Sequence, residues 1–148
     1  MMREKLIGLL ILGALLLPSS LQAQKNFAEM SLDRWAKLRE VERYQLNIAE
    51  KYYKEGKYKV ALTEYEKYLA LYERSEAASY SQLKWSLCLT HLRRQNTAIK
   101  EGFQSVIDYW PDSADAPKAS YLISKTYVTI GRISSGKRSY QRTITDYP

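Results

Sequence analysis

A single cysteine, Cys88, and a single histidine, His91, are the whole thiol and imidazole complement of the 148-residue chain. An internal disulfide is therefore excluded, and stability must come from packing. One Cys and one His also fall short of a zinc site. The two stand three residues apart on one expected helix, but thiol–imidazole catalysis needs a third group to orient the base and a pocket around it. The expected arrangement puts Cys88 toward the packed side. The carboxylates are scattered, with no pairing that suggests acid–base chemistry. Glycine and proline are few, six and four. Between Ser31 and Gly56 there is neither, so nothing there interrupts a helix.

Long apolar runs are absent but for one, Leu6 to Leu17. It follows the mildly basic Met1-Met2-Arg3-Glu4-Lys5 and precedes the small, polar Pro18-Ser19-Ser20-Leu21-Gln22-Ala23. That is the order of regions in a secretory signal peptide, expected over 1–23 with cleavage after Ala23 and a short flexible lead-in over 24–30. As a helix the run would reach about 18 Å, against roughly 30 Å of bilayer core. Leu21 is large for the position three before the cut, so an uncleaved anchor is the alternative. The place where a bacterial lipoprotein carries its acylated cysteine reads Leu21-Gln22-Ala23-Gln24, without cysteine. The expectation is an exported chain of the periplasm or cell envelope, with no stable membrane insertion after cleavage. Losing Arg3, Glu4 and Lys5 lowers the net charge from +7 to +6. A basic surface suits nucleic acid, an acidic partner or an anionic envelope surface. Export argues against nucleic acid, and the interleaved acids are the pattern of solvated helix faces.

Helical signals dominate from Ser31 onward. Ser31 before Leu32-Asp33 reads as an N-cap with an acid in the first turn. Trp35, Leu38, Val41, Ile48, Ala49 and Tyr52 fall on one broad face, which predicts a first helix of about 25 residues ending at Gly56. Val60, Ala61, Tyr65, Tyr68, Leu69 and Tyr72 form the stripe of a second. The pattern then repeats. Ala49, Ser86 and Ser124 are 37 and 38 residues apart, as are Ala61, Ala98 and Gly136, and again Tyr68, Ser105 and Thr143. Small residues at one period let helix axes approach closely. Each unit reads as helix, turn, helix. Gly56 and Gly131 sit in the first turns of units one and three, where unit two has Arg93-Arg94-Gln95-Asn96. Units two and three end alike, in Asp108-Tyr109-Trp110-Pro111 and Asp146-Tyr147-Pro148, except for an inserted Trp110. Proline there stops one helix and opens the next.

These residues resemble the tetratricopeptide (TPR) motif: a large residue, a small one, an aromatic, a second small one, an aromatic and a proline at set offsets. The matching residues are Ile48, Ala49, Tyr52, Gly56, Ala61 and Tyr65 in unit one. They are Trp85, Ser86, Leu89 and Ala98 in unit two, and Ile123, Ser124, Tyr127, Gly131, Gly136, Tyr140 and Pro148 in unit three. Gly102 falls where an aromatic is expected, with Phe103 one place late, and Glu73 replaces the closing proline of unit one. The longer repeat and its boundary resemble periplasmic TPR proteins of bacterial envelopes, such as the Tol-Pal-associated and β-barrel-assembly TPR proteins. The resemblance implies an all-α TPR superhelix over 31–148, with repeats at about 42–78, 79–116 and 117–148 and an extended first helix.

By the motif's register, the first helices line a groove with Arg43, Leu46, Glu50, Tyr53 and Lys54, then Tyr80, Leu83, Leu87, Thr90 and His91, then Lys118, Tyr121, Lys125, Val128 and Thr129. This surface would suit a peptide with apolar anchors and some acidic character, with Tyr53, Tyr80 and Tyr121 as anchors. The other reading packs those tyrosines between repeats. Leu46, Glu50 and Leu87 occupy the places of the carboxylate clamp found in some TPR domains, so that clamp is not expected. Gly131–Lys137 nearly spells a phosphate-binding loop, but Arg138 stands where Ser or Thr must hold magnesium. The implied function is a non-enzymatic envelope adaptor, without cofactor, that binds a protein or peptide. The rivals are a cell-wall glycan binder, from thirteen tyrosines and three tryptophans, and the front part of a larger exported protein. Tyr140 and Ile144 are expected to lie partly uncovered on the last helix, where a second copy could pack.

Overall fold

The computed structural model describes residues 27–148, and every regular element among them is helical. The expected leader and its cleavage point lie outside the described residues. Seven helices are packed mostly in sequence: α1 (Leu32–Lys37), α2 (Glu40–Lys54), α3 (Tyr58–Leu71), α4 (Ala78–His91), α5 (residues 95–109), α6 (Ala116–Thr129) and α7 (Ile133–Asp146). Helices α2 and α3, α4 and α5, and α6 and α7 form three helical hairpins.

The single long first helix does not form. It breaks at Leu38 and Arg39, which take extended backbone with ψ of 141° and 157°. Neither Gly nor Pro causes the break. Leu38 turns inward and is buried. The Glu42 carboxylate then accepts the Arg39 backbone N–H at 2.7 Å, which restarts the helix as α2. Val41, expected on the apolar face, is exposed in consequence. Ser31 stands at the start of α1 with extended backbone, but its hydroxyl caps nothing.

The turn inside each hairpin is the same turn three times. Gly56, Arg93 and Gly131 have φ of 72°, 60° and 78°. Each donates its N–H to the carbonyl three residues back, and the next residue donates to the carbonyl five back: Lys57 to Tyr52, Arg94 to Leu89 and Arg132 to Tyr127, at 2.8–2.9 Å. This is the helix-ending left-handed cap that glycine normally supplies. Unit two makes it with arginine.

The residue out of step in unit two lies within α5, not at its end. Ala98–Phe103 is a π-helical segment between the α-helical turns Gln95–Thr97 and Gln104–Tyr109. A π-turn accommodates one extra residue without changing what lies on either side. Phe103 thereby reaches the depth of Tyr65, and Val106 that of Tyr68; all four are fully buried. Ser105, the residue aligned with Tyr68 by simple spacing, is only half-buried. Tyr72, Trp110 and Tyr147 then cap their helices with matching backbone, φ −137°, −133° and −132°. Trp110 is therefore no insertion but the counterpart of Tyr72 and Tyr147. Gly102 makes the π segment possible, since a Cβ there would lie 2.8 Å from the Ser86 Cβ.

The core runs through the array in two buried clusters. One gathers Met30, Leu38, Leu46, Ala49, Ala61, Tyr65, Tyr68, Tyr80 and Cys88. The other gathers Leu83, Leu89, Ala98, Ile99, Phe103, Val106, Ala119, Leu122 and Ile123. Leu62 and Trp85 pack against both and join them.

Candidate functional site

Helices α2, α4 and α6, the first of each hairpin, are linked side by side through polar side chains. Between α2 and α4 lies a buried cluster around Glu50. Its carboxylate accepts the hydroxyls of Tyr65 at 2.6 Å and Tyr80 at 2.8 Å. The Lys84 ammonium, on a residue only 4% exposed, stands 3.7 Å from the same oxygen and 3.5 Å from the centre of the Tyr53 ring. Burial lowers the Lys84 pKa, against the raising effect of Glu50. The tyrosine pKa values of Tyr53, Tyr65 and Tyr80 rise, chiefly through burial and then through neighbouring anionic groups. A buried cation, a buried anion and aromatic hydroxyls thus satisfy one another.

Cys88 lies one turn further along α4, fully buried, and burial pushes its thiol up to about 12. The thiol is therefore protonated at neutral pH, a poor nucleophile. His91 is exposed at the end of α4. It stacks on Tyr58 at 3.9 Å and lies 3.4 Å from the Tyr53 hydroxyl. Among the described residues, no three His, Cys, Asp or Glu side chains gather to hold a metal ion. Gly131–Arg138 is a turn and helix start following another helix, and a Cβ on Gly136 would lie 2.6 Å from Val128 Cγ2.

Between α4 and α6 the centre is Asp115, which is 0% exposed. Its carboxylate accepts the Ser79 hydroxyl at 2.8 Å and Lys118 Nζ at 3.1 Å, and pairs with Arg34 Nη1 at 2.8 Å. The other guanidinium nitrogen of Arg34 donates to the Glu76 carbonyl at 2.7 Å and to Ser79 Oγ at 3.1 Å. Arg34 belongs to α1, so the N-terminal segment lies against the first helices. Phe27 meets Tyr121 edge to face at 5.3 Å.

The expected groove residues divide accordingly. Leu46, Glu50, Tyr80 and Leu83 are buried and present no surface to a ligand. Leu46 packs in the core cluster with Tyr80 and Met30, Leu83 in the second cluster, and Glu50 faces Tyr80 and Lys84. Tyr53, Leu87, Thr90 and Lys118 are half-buried; Arg43, Lys54, His91, Tyr121, Lys125, Val128 and Thr129 are exposed. The structure brings together Glu50, Tyr53, Tyr80 and His91 around one cluster, and Lys118 with Asp115. Sequence reasoning missed Lys84, Arg34 and Asp115, and placed Tyr65 on the apolar stripe without its bond to Glu50. Lys84 was open to detection, as a cation four residues from both Tyr80 and Cys88 on an otherwise packed stripe of α4. The Arg34–Asp115 pair left no local signal, because its members are 81 residues apart.

The chain matches no protein-family model, and no curated protein matches it.

Proposed function

We propose that this chain is an exported, non-enzymatic scaffold of the TPR kind, which holds a protein or peptide segment against α2, α4 and α6. The observation that carries the reading is the threefold helix, left-handed turn, helix at one period, with first helices side by side and a segment of chain seated across them. Arrays of this kind leave the first-helix side for partners. The leader expected over 1–23 supports an envelope location. Buried Cys88, with its raised pKa, fits packing better than catalysis. The exposed Tyr121, Lys125 and Val128 on α6 offer a mixed apolar and basic surface beside the seated segment.

A photo-crosslinking side chain at Tyr121, expressed in the native exporting cell, tests this. The expected result is capture of a discrete exported protein. Capture equal to that of a control position at Glu73, an exposed residue outside these helices, would sink it.

A second reading, glycan binding, is favoured by one feature. Trp85, Tyr109, Trp110, Glu66, Glu101 and Gln82 line an open cleft of about 400 Å³ between hairpins one and two. Aromatic faces beside carboxylates suit stacking on sugar rings with hydrogen bonds to hydroxyls. Retention on isolated cell wall that is lost in Trp110→Ala would favour this reading over the first.

A further inference from the structure

The geometry points to a specific ligand class for the first-helix side: a short apolar segment anchored by one arginine, of which residues 27–38 are the copy resident in the chain itself. This rests on the scaffold reading above and supplies its partner chemistry.

The arginine site is built by hairpins two and three and filled from outside them. The Asp115 carboxylate is fully buried and caps no helix. Around it stand the Ser79 hydroxyl and the Glu76 carbonyl, each within hydrogen-bond distance of the Arg34 fork, whose side chain is 15% exposed. A carboxylate, a carbonyl and a hydroxyl converging on a planar fork select guanidinium over ammonium. Lys118 shares the Asp115 carboxylate, so selection rests on the acceptors that converge on the fork, the Asp115 carboxylate and the Glu76 carbonyl, which an acidic anchor could not meet.

Apolar anchors flank the arginine. Met30 and Leu38 are buried, and Trp35 packs partly buried on the first core cluster. Phe27 lies against Tyr121, which itself neighbours Tyr140 at 5.8 Å. Met30 and Leu38 lie in non-helical chain on either side of α1, so the segment is a short helix carrying Arg34 between two apolar ends.

The segment is held as a ligand is held. Helix α1 has six residues, none of them buried, and no side-chain cap. A helix so short does not stand alone in water, so its anchors hold it. Leu32 on its outer side is 84% exposed. When the segment leaves, Asp115 keeps Ser79 and Lys118 as donors, so departure strands no bare buried charge. A partner segment with the same anchors can therefore replace it.

The test uses the full chain and a fluorescent peptide of residues 27–38, alongside the same peptide with alanine in place of Arg34. Arg34→Ala in the protein weakens the resident segment and should raise affinity for the arginine peptide by about tenfold over the unchanged protein. The alanine peptide should bind about tenfold more weakly. Hydrogen exchange over residues 32–37 should quicken in Arg34→Ala while α4 stays protected. Equal binding of the two peptides, no gain from Arg34→Ala, or unchanged exchange in α1 would each overturn the proposal. Protection of residues 32–37 that falls on dilution, with a dimer in sedimentation, would assign the segment to a neighbouring copy and overturn the resident assignment. Peptide binding needs no native partner, so failure of the crosslinking experiment leaves this result standing or falling by itself.

Discussion

At Arg93 the chain asks an L-residue to do what glycine does at Gly56 and Gly131. The left-handed region crowds Cβ against the following carbonyl and costs roughly 1–2 kcal/mol for a residue other than glycine. Arg93 is exposed and forms no salt bridge among the described residues, so little offsets that cost. Arg93→Gly should stabilise the fold by about 0.5–1 kcal/mol after the entropy glycine adds to the unfolded chain. Urea titration reads this directly, and a lower midpoint would show that Arg93 has a favourable contact. Glu50 and Lys84 make the opposite case, two buried charges that each need the other. Glu50→Gln keeps an acceptor for Tyr65 and Tyr80 but leaves the Lys84 ammonium without its anion, at a cost of about 3–5 kcal/mol. Adding Lys84→Met should recover part of that loss, so a double-mutant cycle with no coupling would refute the pairing. His91 gives the pH dependence. Burial and then the Lys84 charge lower its pKa below 6.5. The unfolded chain therefore binds a proton before the folded one does. His91 contributes no loss well above pH 6.5, destabilises as pH falls below 6.5, and adds no further loss once pH is below its lowered folded pKa. Stability measured from pH 7 to 5 should fall less steeply in His91→Gln than in the unchanged chain.

Among the elements, α5 carries the sharpest constraint. Its π segment holds Phe103 and Val106 in the core, and Gly102 leaves room for Ser86. Alanine favours helices by about 1 kcal/mol over glycine. Even so, Gly102→Ala should destabilise by about 1–3 kcal/mol, because its Cβ would overlap Ser86. A raised melting temperature would mean that α5 relaxes to a regular helix. The alternation of 37- and 38-residue steps already contained this extra residue. Sequence reading could place three helix–turn–helix units from small residues and glycines, since those are local signals. It treated the late Phe103 and the extra Trp110 as separate misfits, whereas one π-turn accounts for both. A π-turn is set by which side chains must reach the core, and that has no signature along the strand of letters. The break at Leu38 and Arg39 was hidden for the same reason: burial of Leu38 decides it, with no Gly or Pro to mark it. In the site, helix register assigned Leu46, Glu50, Tyr80 and Leu83 to the first helices, where all four are buried, Leu46 and Tyr80 in one core cluster and Leu83 in the other. It could not give their depth, which neighbouring hairpins and residues 27–38 determine.

Over the whole molecule, burial is uneven from one end to the other. Helix α4 packs against its neighbours on both sides and buries nine of its fourteen residues. Helix α7, of equal length, buries only Gly136. The difference is positional. The second helices α3 and α5 are each covered by the next hairpin, so Tyr65, Tyr68, Phe103 and Val106 are fully enclosed. No hairpin among the described residues covers α7, and Ile144 is 68% exposed there. In an array where each hairpin leans only on its neighbours, a helix covered on one side opens at lower free energy than the global transition. Amide exchange should therefore be fastest in α1 and α7, intermediate in α2 and α6, and slowest in α4. Ile144→Lys should leave that order and the melting temperature nearly unchanged if α7 is free in solution. If instead a second copy covers α7, its exchange should slow with rising protein concentration, and Ile144→Lys should abolish that dependence. Uniform exchange across α4 and α7 at low concentration would refute the view that stability is summed hairpin by hairpin.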